Sequence, residues 1–307
     1  MDTIKLFCEN WLWIFFGCYV LVQKLKAFDG SQILSFSDRV EMLKQDQIIE
    51  DIYVPMIARM MIGLSKKECL DILKKAQESA KTNNDLIFMD HFIPAYYDIT
   101  LGYKLKDFTV SYETKKQVAF HESGHAIGYI YQQSEFLVHS ISIVPRKNIM
   151  GFVHPIPIKE MIPSTISFYE NEVKINLSGA IAEQIFGLPD GKIIDKNTGY
   201  IDLLSRVHIQ SDFEKVRNNI MLIMILQQHP MIYLCKKKSL SDSDLAQVNE
   251  AMHDIIKVYY EQAYDLIFNH KEKVEIIAQA LLEKETLQSQ QIYELLGMDK
   301  LKYDFET

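Results

Sequence analysis

The sequence predicts a mainly α-helical protein with a small β-sheet, and three observations lead to this fold class. Apolar residues recur at three- and four-residue steps along most of the chain, which is the period of an amphipathic helix. Two short stretches alternate instead: residues 138–144, which end at Pro145, and residues 151–153, which precede the pair Pro155 and Pro157. The length of 307 residues and an apolar content of 48% are enough for about two domains with a sizeable core.

The charge balance and the cysteines exclude several classes of protein. Lys and Arg number 33 and Asp and Glu number 41, so the formal net charge is −8 and the chain as a whole repels phosphate. Nucleic acid is therefore not expected as a partner. The four cysteines form no C-x-x-C pair, so we expect neither a disulfide scaffold nor a thiolate zinc site. We therefore expect a reducing, intracellular compartment.

The N-terminal segment, residues 1–30, is apolar and leaves the question of a membrane open. Residues 11–22 carry no charge, but a bilayer span needs about 20 apolar residues, and extending the run to residues 6–22 includes Glu9. A buried or interfacial helix, a short membrane anchor and a cleaved signal are the three alternatives. Membrane association is therefore expected, if at all, through residues 6–22.

Residues 31–108 are predicted to form a small helical domain. The sequence from Asp38 to Lys81 is predicted to be mainly helical. A new helix is predicted to begin at Ser65, where Glu68 completes a capping box. A further short helix is predicted over residues 89–97.

Residues 109–300 are predicted to form the second, larger domain. A helix over residues 112–133 is followed by the two alternating stretches and by a helix over residues 172–186, which the turn sequence GLPDG ends. Residues 187–207 are predicted to be a long loop, and residues 211–296 a series of amphipathic helices.

The sequence His121–Glu122–Ser123–Gly124–His125 is an H-E-x-x-H motif inside the predicted helix of residues 112–133. Positions i and i+4 lie on one face of a helix, so both imidazoles can reach one metal ion. Glu122 stands beside the first of them, where its carboxylate can accept a proton from the water that attacks a peptide bond. The motif therefore predicts a zinc site of the metalloprotease type, with one Zn²⁺ per chain.

A catalytic zinc site needs a third protein ligand, and spacing alone does not select it. The metzincin extension fails, because Tyr131 stands where a third histidine would be required. The open candidates are Glu135, Glu170, Glu172, Glu183, His139, His154, His208 and His229.

Five segments in order resemble the protease domain of the FtsH family of membrane-tethered, ATP-dependent zinc proteases. They are HESGHAIGYI, SIVPR, LSGAIAEQIFG, SDFEKVRNNI and the C-terminal LIFNHKEKVEIIAQALLEKETL with IYELLG, and they extend over residues 111–297. The resemblance implies an FtsH-like peptidase domain of the zincin type, a hexameric ring, and unfolded polypeptides as substrates.

The resemblance also implies roles for particular residues. It selects Asp212 as the third zinc ligand, with His208 as a rival four residues earlier in the chain. It gives Glu183 the task of supporting a zinc-bound histidine through the free imidazole N–H. It further implies that an edge strand beside the active site binds the substrate, through Met150, Gly151, Phe152 and Val153.

No ATP site is expected within this sequence. It contains no G-x-x-x-x-G-K-[ST], since the nearest text, GLPDGKI at residues 187–193, is one residue short and lacks the Ser or Thr. Residues 57–102 nevertheless resemble the helical lid of the family's ATPase module. Ala27 and Gly30 stand where the family has ATP-sensing arginines, so this part resembles a remnant of that module.

The sequence therefore predicts a zinc-dependent endopeptidase that cleaves unfolded or flexible proteins without an ATPase motor of its own. The alternative is a non-proteolytic partner subunit or adaptor of an FtsH-type complex. A homo-oligomeric ring, or a mixed ring with full-length FtsH-type subunits, is the expected assembly. The expected location is cytoplasmic or membrane-associated, with an organelle also open.

Overall fold

A computed structural model describes residues 33–45, 54–81, 87–105, 108–132, 135–147, 149–160, 165–188, 210–232 and 241–298. The apolar N-terminal segment, most of the long loop after residue 187, and His208 lie outside these ranges, so the predictions made for them stay predictions. Among the described helices, none has the length together with the apolar character that crossing a bilayer requires.

The prediction of a mainly helical fold with a small sheet is confirmed. The described helices are α1 Phe36–Gln45, α2 Val54–Met60, α3 Lys66–Ala80, α4 Met89–Thr100, α5 Tyr112–Tyr131, α6 Ile166–Ile185, α7 Gln210–Leu226, α8 Asp242–Asn269, α9 Lys271–Lys284 and α10 Ser289–Leu295. The described strands are β1 Phe136–Ser142, β2 Phe152–Pro157 and β3 Thr286–Gln288.

Helix α3 begins where the sequence predicts, at a complete capping box. The Glu68 backbone N–H donates to Ser65 Oγ, and the Ser65 N–H donates to Glu68 Oε2 at 2.7 Å. Such a cap stabilises a helix by about 1 kcal/mol. The start predicted for α6 is wrong: the helix begins at Ile166 rather than near residue 172, because Thr165 caps it by accepting the Phe168 N–H.

The three strands form one antiparallel sheet in the order β2-β1-β3. Strand β2 is longer than predicted, since it continues through Pro155 and Pro157. A proline has no N–H to donate to a neighbouring strand, and it is tolerated here because β2 lies at the edge of the sheet. Strand β3 lies in a region predicted to be wholly helical, so that part of the prediction is wrong.

Two hydrophobic cores flank this sheet, and β2 contributes to both. One core is built by α5 to α10 with β1 and β3, and Val153 of β2 packs against it. The other lies among α1 to α4 and includes the buried side chains of Phe152 and Ile156. Successive residues of a strand face opposite sides, so the edge strand lies between the two groups of helices.

Ion pairs also connect the N-terminal helices to the segment that follows β2. The buried guanidinium of Arg39 donates to both carboxylate oxygens of Glu160, at 2.8 and 2.7 Å. Arg59, fully buried, donates to the same carboxylate at 3.4 Å. Both Arg39 contacts come from the same nitrogen, Nη2, and together with Arg59 they link Glu160 to α1 and α2 through charge-assisted hydrogen bonds.

A β-bulge in β1 lies at His139, next to His154 of β2. Val138 pairs with Pro155 and Ser140 pairs with His154, so His139 is the extra residue on β1. The rings of His139 and His154 are 5.4 Å apart, and no hydrogen-bond partner is found for His139 Nε2 among the described residues. Burial lowers the pKa of His139 to about 4, and burial together with the neighbouring His139 lowers the pKa of His154 to about 3.

These two lowered pKa values predict a loss of stability in mild acid. An unfolded histidine titrates near pH 6.5, so between about pH 6.5 and pH 4 the unfolded chain binds protons that the folded chain does not. The free energy of unfolding should therefore fall by up to about 1.4 kcal/mol per pH unit for each histidine. Urea unfolding at several pH values should show a shallower slope for His139→Leu. His91→Leu, a change at a half-buried histidine elsewhere, is the control; parallel slopes for wild type and His139→Leu would contradict the prediction.

Candidate metal centre

Helix α5 carries the H-E-x-x-H motif in its middle, and both histidines face the same direction. The helix begins after Ser111, whose hydroxyl accepts the Thr114 N–H at 3.1 Å. The Nε2 atoms of His121 and His125 are 3.0 Å apart, as expected for positions one helical turn from each other. Both side chains, and that of Glu122 between them, are about nine-tenths buried.

Helix α6 crosses α5 so closely that only glycine fits at the contact. A Cβ atom on Gly124 would overlap the carbonyl oxygen of Ser178, and a Cβ atom on Gly128 would lie 3.0 Å from Ser178 Oγ. On the facing helix, a Cβ atom on Gly179 would lie 2.6 Å from His125 Nε2 and 2.8 Å from His121 Nε2. The absence of a side chain at Gly179 therefore leaves room for both imidazoles.

The close crossing brings α6 acceptors to the far side of each imidazole. His121 Nδ1 hydrogen-bonds Glu183 Oε1 at 2.6 Å, and His125 Nδ1 hydrogen-bonds the backbone oxygen of Ile175 at 2.8 Å. The second oxygen of Glu183 accepts from Gln117 Nε2 at 2.7 Å. With Nδ1–H donating in this way, each Nε2 keeps its lone pair for a metal ion, as metal-binding histidines require.

Asp212 completes the group from the first turn of α7. Its Oδ2 lies 3.2 Å from His121 Nε2 and 3.2 Å from His125 Nε2, and its Oδ1 accepts from Lys215 Nζ at 3.1 Å. Among the described residues, His121, His125 and Asp212 are the one group of histidine, cysteine and acidic side chains placed to hold a metal ion.

The three donor atoms fit a zinc ion. Their separations of 3.0 to 3.2 Å are close to those of neighbouring ligand atoms in a tetrahedral site with bonds of about 2.0–2.2 Å, and two imidazoles with one carboxylate are a donor set that Zn²⁺ accepts. Three protein ligands leave the fourth position open, as in catalytic rather than structural sites.

The electrostatics of the group favour a bound cation. Burial acts against the charged form of His121, but hydrogen bonds to Asp212 and Glu183 outweigh it and raise the pKa of His121 well above its usual value. Burial would likewise raise the pKa of Asp212, but the charge of His125 and hydrogen bonds from both imidazoles hold it well below its usual range. Two buried carboxylates thus stabilise positive charge here, which a divalent metal can supply in place of protons.

The rival ligands that the sequence left open are mostly engaged elsewhere. Glu135 pairs with Lys159 at 3.7 Å, and Glu170 accepts from the Tyr259 hydroxyl at 2.8 Å. Glu183 lies behind His121 rather than beside the ion position. Glu172 lies near the site without belonging to the ligand group; burial raises its pKa to about 7, against the opposing charges of Lys215 and His125.

The predicted substrate residues lie beside Glu122, at the start of the edge strand. A Cβ atom on Gly151 would lie 2.9 Å from Glu122 Oε1 and 2.6 Å from Val118 Cγ1, so the backbone just before β2 passes close to the Glu122 carboxylate. Met150 is half-buried, just before β2, and Phe152 and Val153 open the strand itself. The structure thus brings the predicted base and the predicted substrate strand together.

Two contributors to the site were missed by the sequence reasoning. The Ile175 carbonyl is a backbone group, which side-chain chemistry cannot reveal. Gly179 stands within the L-S-G-A-I-A-E segment, where a glycine in a helix interior is a signal of close packing that could have been used.

Replacing Gly179 with Ala should weaken metal binding without unfolding the protein. The added methyl group would occupy the space beside His121 and His125, so we expect about tenfold weaker zinc binding, measured by titration against a competing chelator. Gly128→Ala crowds the same helix crossing but touches Ser178 and Ile175 instead, and should keep its zinc. Equal zinc affinity in wild type and Gly179→Ala would contradict this role of the glycine.

Replacing Asp212 with Ala removes one donor of three and should lower zinc affinity by more than about 100-fold. Glu214→Ala, an exposed acidic residue in the same turn of α7, is the matched control and should bind zinc as the wild type does. The metal content of both purified variants, measured by atomic absorption, tests the assignment. Full zinc occupancy in Asp212→Ala would transfer the ligand role to another residue, with His208 the first to examine.

Comparison with known proteins identifies the family. The model of peptidase family M41 matches residues 108–194 and 219–295, more than half of the chain. The unmatched stretch between them contains Asp212, so its assignment rests on the geometry above. The matched ranges include both histidines, Glu122, Glu183 and the edge strand.

Curated relatives agree with this match. The chain is 24% identical to the ATP-dependent zinc metalloprotease FtsH of Borreliella burgdorferi, over 85% of this chain and 41% of that protein. It is 26% identical to FtsH of Rickettsia bellii, over 86% of this chain and 42% of the relative. It is 24% identical to the mitochondrial inner membrane m-AAA protease component yta12 of Schizosaccharomyces pombe, over 80% of this chain and 32% of that protein. The chain thus spans less than half the length of these relatives, and it belongs to peptidase family M41, the FtsH family of zinc metalloproteases.

Proposed function

We propose that this chain is a zinc-dependent endopeptidase that hydrolyses peptide bonds of unfolded or flexible proteins, with one Zn²⁺ per chain. The observation that carries the proposal is the convergence of His121, His125 and Asp212 on one point, next to the buried carboxylate of Glu122. The family and the names of the relatives support a metalloprotease.

His121, His125 and Asp212 would hold the zinc ion through two Nε2 atoms and one carboxylate oxygen. When bound, zinc supplies a Lewis acid that polarises a carbonyl group and makes water more acidic. Glu183 and the Ile175 carbonyl hold the imidazole planes in place, so the ligands need little rearrangement.

Glu122 is proposed as the general base. Burial raises the pKa of its carboxyl, partly against the charges of His121 and His125, so its carboxylate accepts protons more readily than an exposed glutamate does. It takes the proton of the attacking water and then delivers a proton to the nitrogen of the leaving amine.

The edge strand is proposed to position the substrate. Within the described residues, β2 pairs only with β1, so its outer backbone groups can pair with an extended peptide. Met150, Gly151, Phe152 and Val153 would bind such a peptide next to Glu122. Backbone pairing requires an extended chain and reads little of its sequence, which suits unfolded or flexible substrates.

Three further proposals concern how the enzyme works in the cell. These 307 residues contain no phosphate-binding loop, so we propose that cleavage by this chain does not use ATP hydrolysis of its own.

We propose assembly as a homo-oligomeric ring or in a mixed ring with full-length FtsH-type subunits, which could supply unfolding. We also propose an intracellular location, either cytoplasmic, membrane-associated through residues 6–22, or within an organelle.

Replacing Glu122 with Gln should abolish proteolysis while zinc stays bound. The amide keeps the size of the side chain but cannot accept the proton of the attacking water, so we expect at least about a 1000-fold lower rate. Cleavage of an unfolded protein such as casein, without ATP and at known zinc content, measures the effect. Glu113→Gln, an exposed glutamate in the first turn of the same helix, should cleave as the wild type does.

The same experiment separates the rival function. Full activity in Glu122→Gln would remove this residue as the base. Bound zinc without any cleavage by the wild type would favour the non-proteolytic partner or adaptor, and sedimentation with a full-length FtsH-type subunit would then be measured next.

A further inference from the structure

Tyr97 of α4 packs against the first half of the edge strand β2 and contacts both β2 and its neighbour β1. Its hydroxyl hydrogen-bonds Ser140 Oγ of β1 at 2.5 Å and His154 Nδ1 of β2 at 3.1 Å. Its ring packs edge-on against Phe152, with centroids 4.8 Å apart. One buried side chain of the helical region therefore joins β1 to β2 at the end where β2 begins.

The segment that connects β1 to β2 in turn contacts Tyr97 and its neighbour on α4. The guanidinium of Arg146 lies 5.2 Å from the centre of the Tyr97 ring and donates to Asp98 Oδ1 at 2.9 Å and to the Gly102 carbonyl at 2.8 Å. The backbone N–H of Arg146 donates to the Ile149 carbonyl at 2.8 Å, which closes the turn before β2. Tyr97 and this turn are thus held in one packed unit.

The opposite side of the same strand faces Glu122. A Cβ atom on Gly151 would lie 2.9 Å from Glu122 Oε1, whereas the next residue, Phe152, packs against Tyr97, as alternation along a strand requires. The start of β2 is therefore enclosed between Glu122 on one side and Tyr97 on the other.

We propose that Tyr97 is a positioning residue of the peptidase: it fixes the start of the edge strand against Glu122 from the helical region. The helical region thereby supports the peptidase site rather than only preceding it. This inference rests on the proposed function for its kinetic consequence, but its structural part can be tested without proteolysis.

Tyr97→Phe is the informative variant, because it keeps the ring and removes the hydroxyl that joins the two strands. Loss of these hydrogen bonds should loosen β2, and an extended substrate should pair with it less well. We expect KM for a peptide substrate to rise about fivefold with kcat within about twofold of the wild type. Zinc content should be unchanged, since Tyr97 touches none of the proposed ligands.

Tyr96→Phe is the matched control. Tyr96 precedes Tyr97 on the same helix, is also buried and also stacks on His154, but its hydroxyl donates to the Met60 carbonyl inside the helical region. The control therefore removes a buried hydrogen bond from the same helix without removing one from the sheet, and it should leave KM near the wild-type value.

Hydrogen exchange of the β2 amides in the full chain measures the positioning directly. Exchange of the β2 amides that point toward β1 should be about tenfold faster in Tyr97→Phe and within about twofold of wild type in Tyr96→Phe. Unchanged exchange in Tyr97→Phe, or equal acceleration in both variants, would overturn the proposal. So would faster exchange with wild-type KM and kcat in an active enzyme. A wild type that cleaves nothing would refute the proposed function, while the exchange data would still decide the role of Tyr97.

Discussion

The close contact between α5 and α6 is the constraint on which the metal centre depends. A Cβ atom on Gly124 would overlap the Ser178 carbonyl oxygen of α6, and a Cβ atom on Gly179 would occupy the space of the two imidazoles. Only at this distance can Glu183 and the Ile175 carbonyl reach the Nδ1 atoms of the two histidines. The orientation of both imidazoles, and so the point on which Nε2 and Asp212 converge, follows from backbone packing.

The second constraint is the position of β2 between two hydrophobic cores. Gly151 lies so close to Glu122 that a Cβ atom on it would be 2.9 Å from Oε1, and Phe152 packs among the N-terminal helices. A strand held from both sides keeps its outer backbone groups in a defined place, although that edge has no partner strand in the described part of the chain. The chemistry at α5 and the support from α4 therefore meet in one short segment.

What the sequence could predict depended on how far apart the cooperating residues are. His121, Glu122 and His125 follow from helical spacing alone, and the start of α3 follows from Ser65 and Glu68. Asp212 lies 91 positions after His121 and was reached only through a family resemblance. Strand β3 was missed because three residues between two helices carry too little alternation to be recognised. Phe152 packs against Tyr97 through a tertiary contact that no local pattern encodes.

The shared strand also determines where this polypeptide can be divided. A fragment beginning near residue 109 would keep the whole H-E-x-x-H helix, yet Phe152 and Ile156 would lose the apolar surroundings that α1 to α4 provide. Exposing two such side chains to water costs about 1.5–3 kcal/mol each, a large share of the net stability of a typical domain. It would also create an apolar patch along an unpaired strand edge, which favours aggregation. A fragment designed to carry the peptidase site should therefore include α1 to α4 as well.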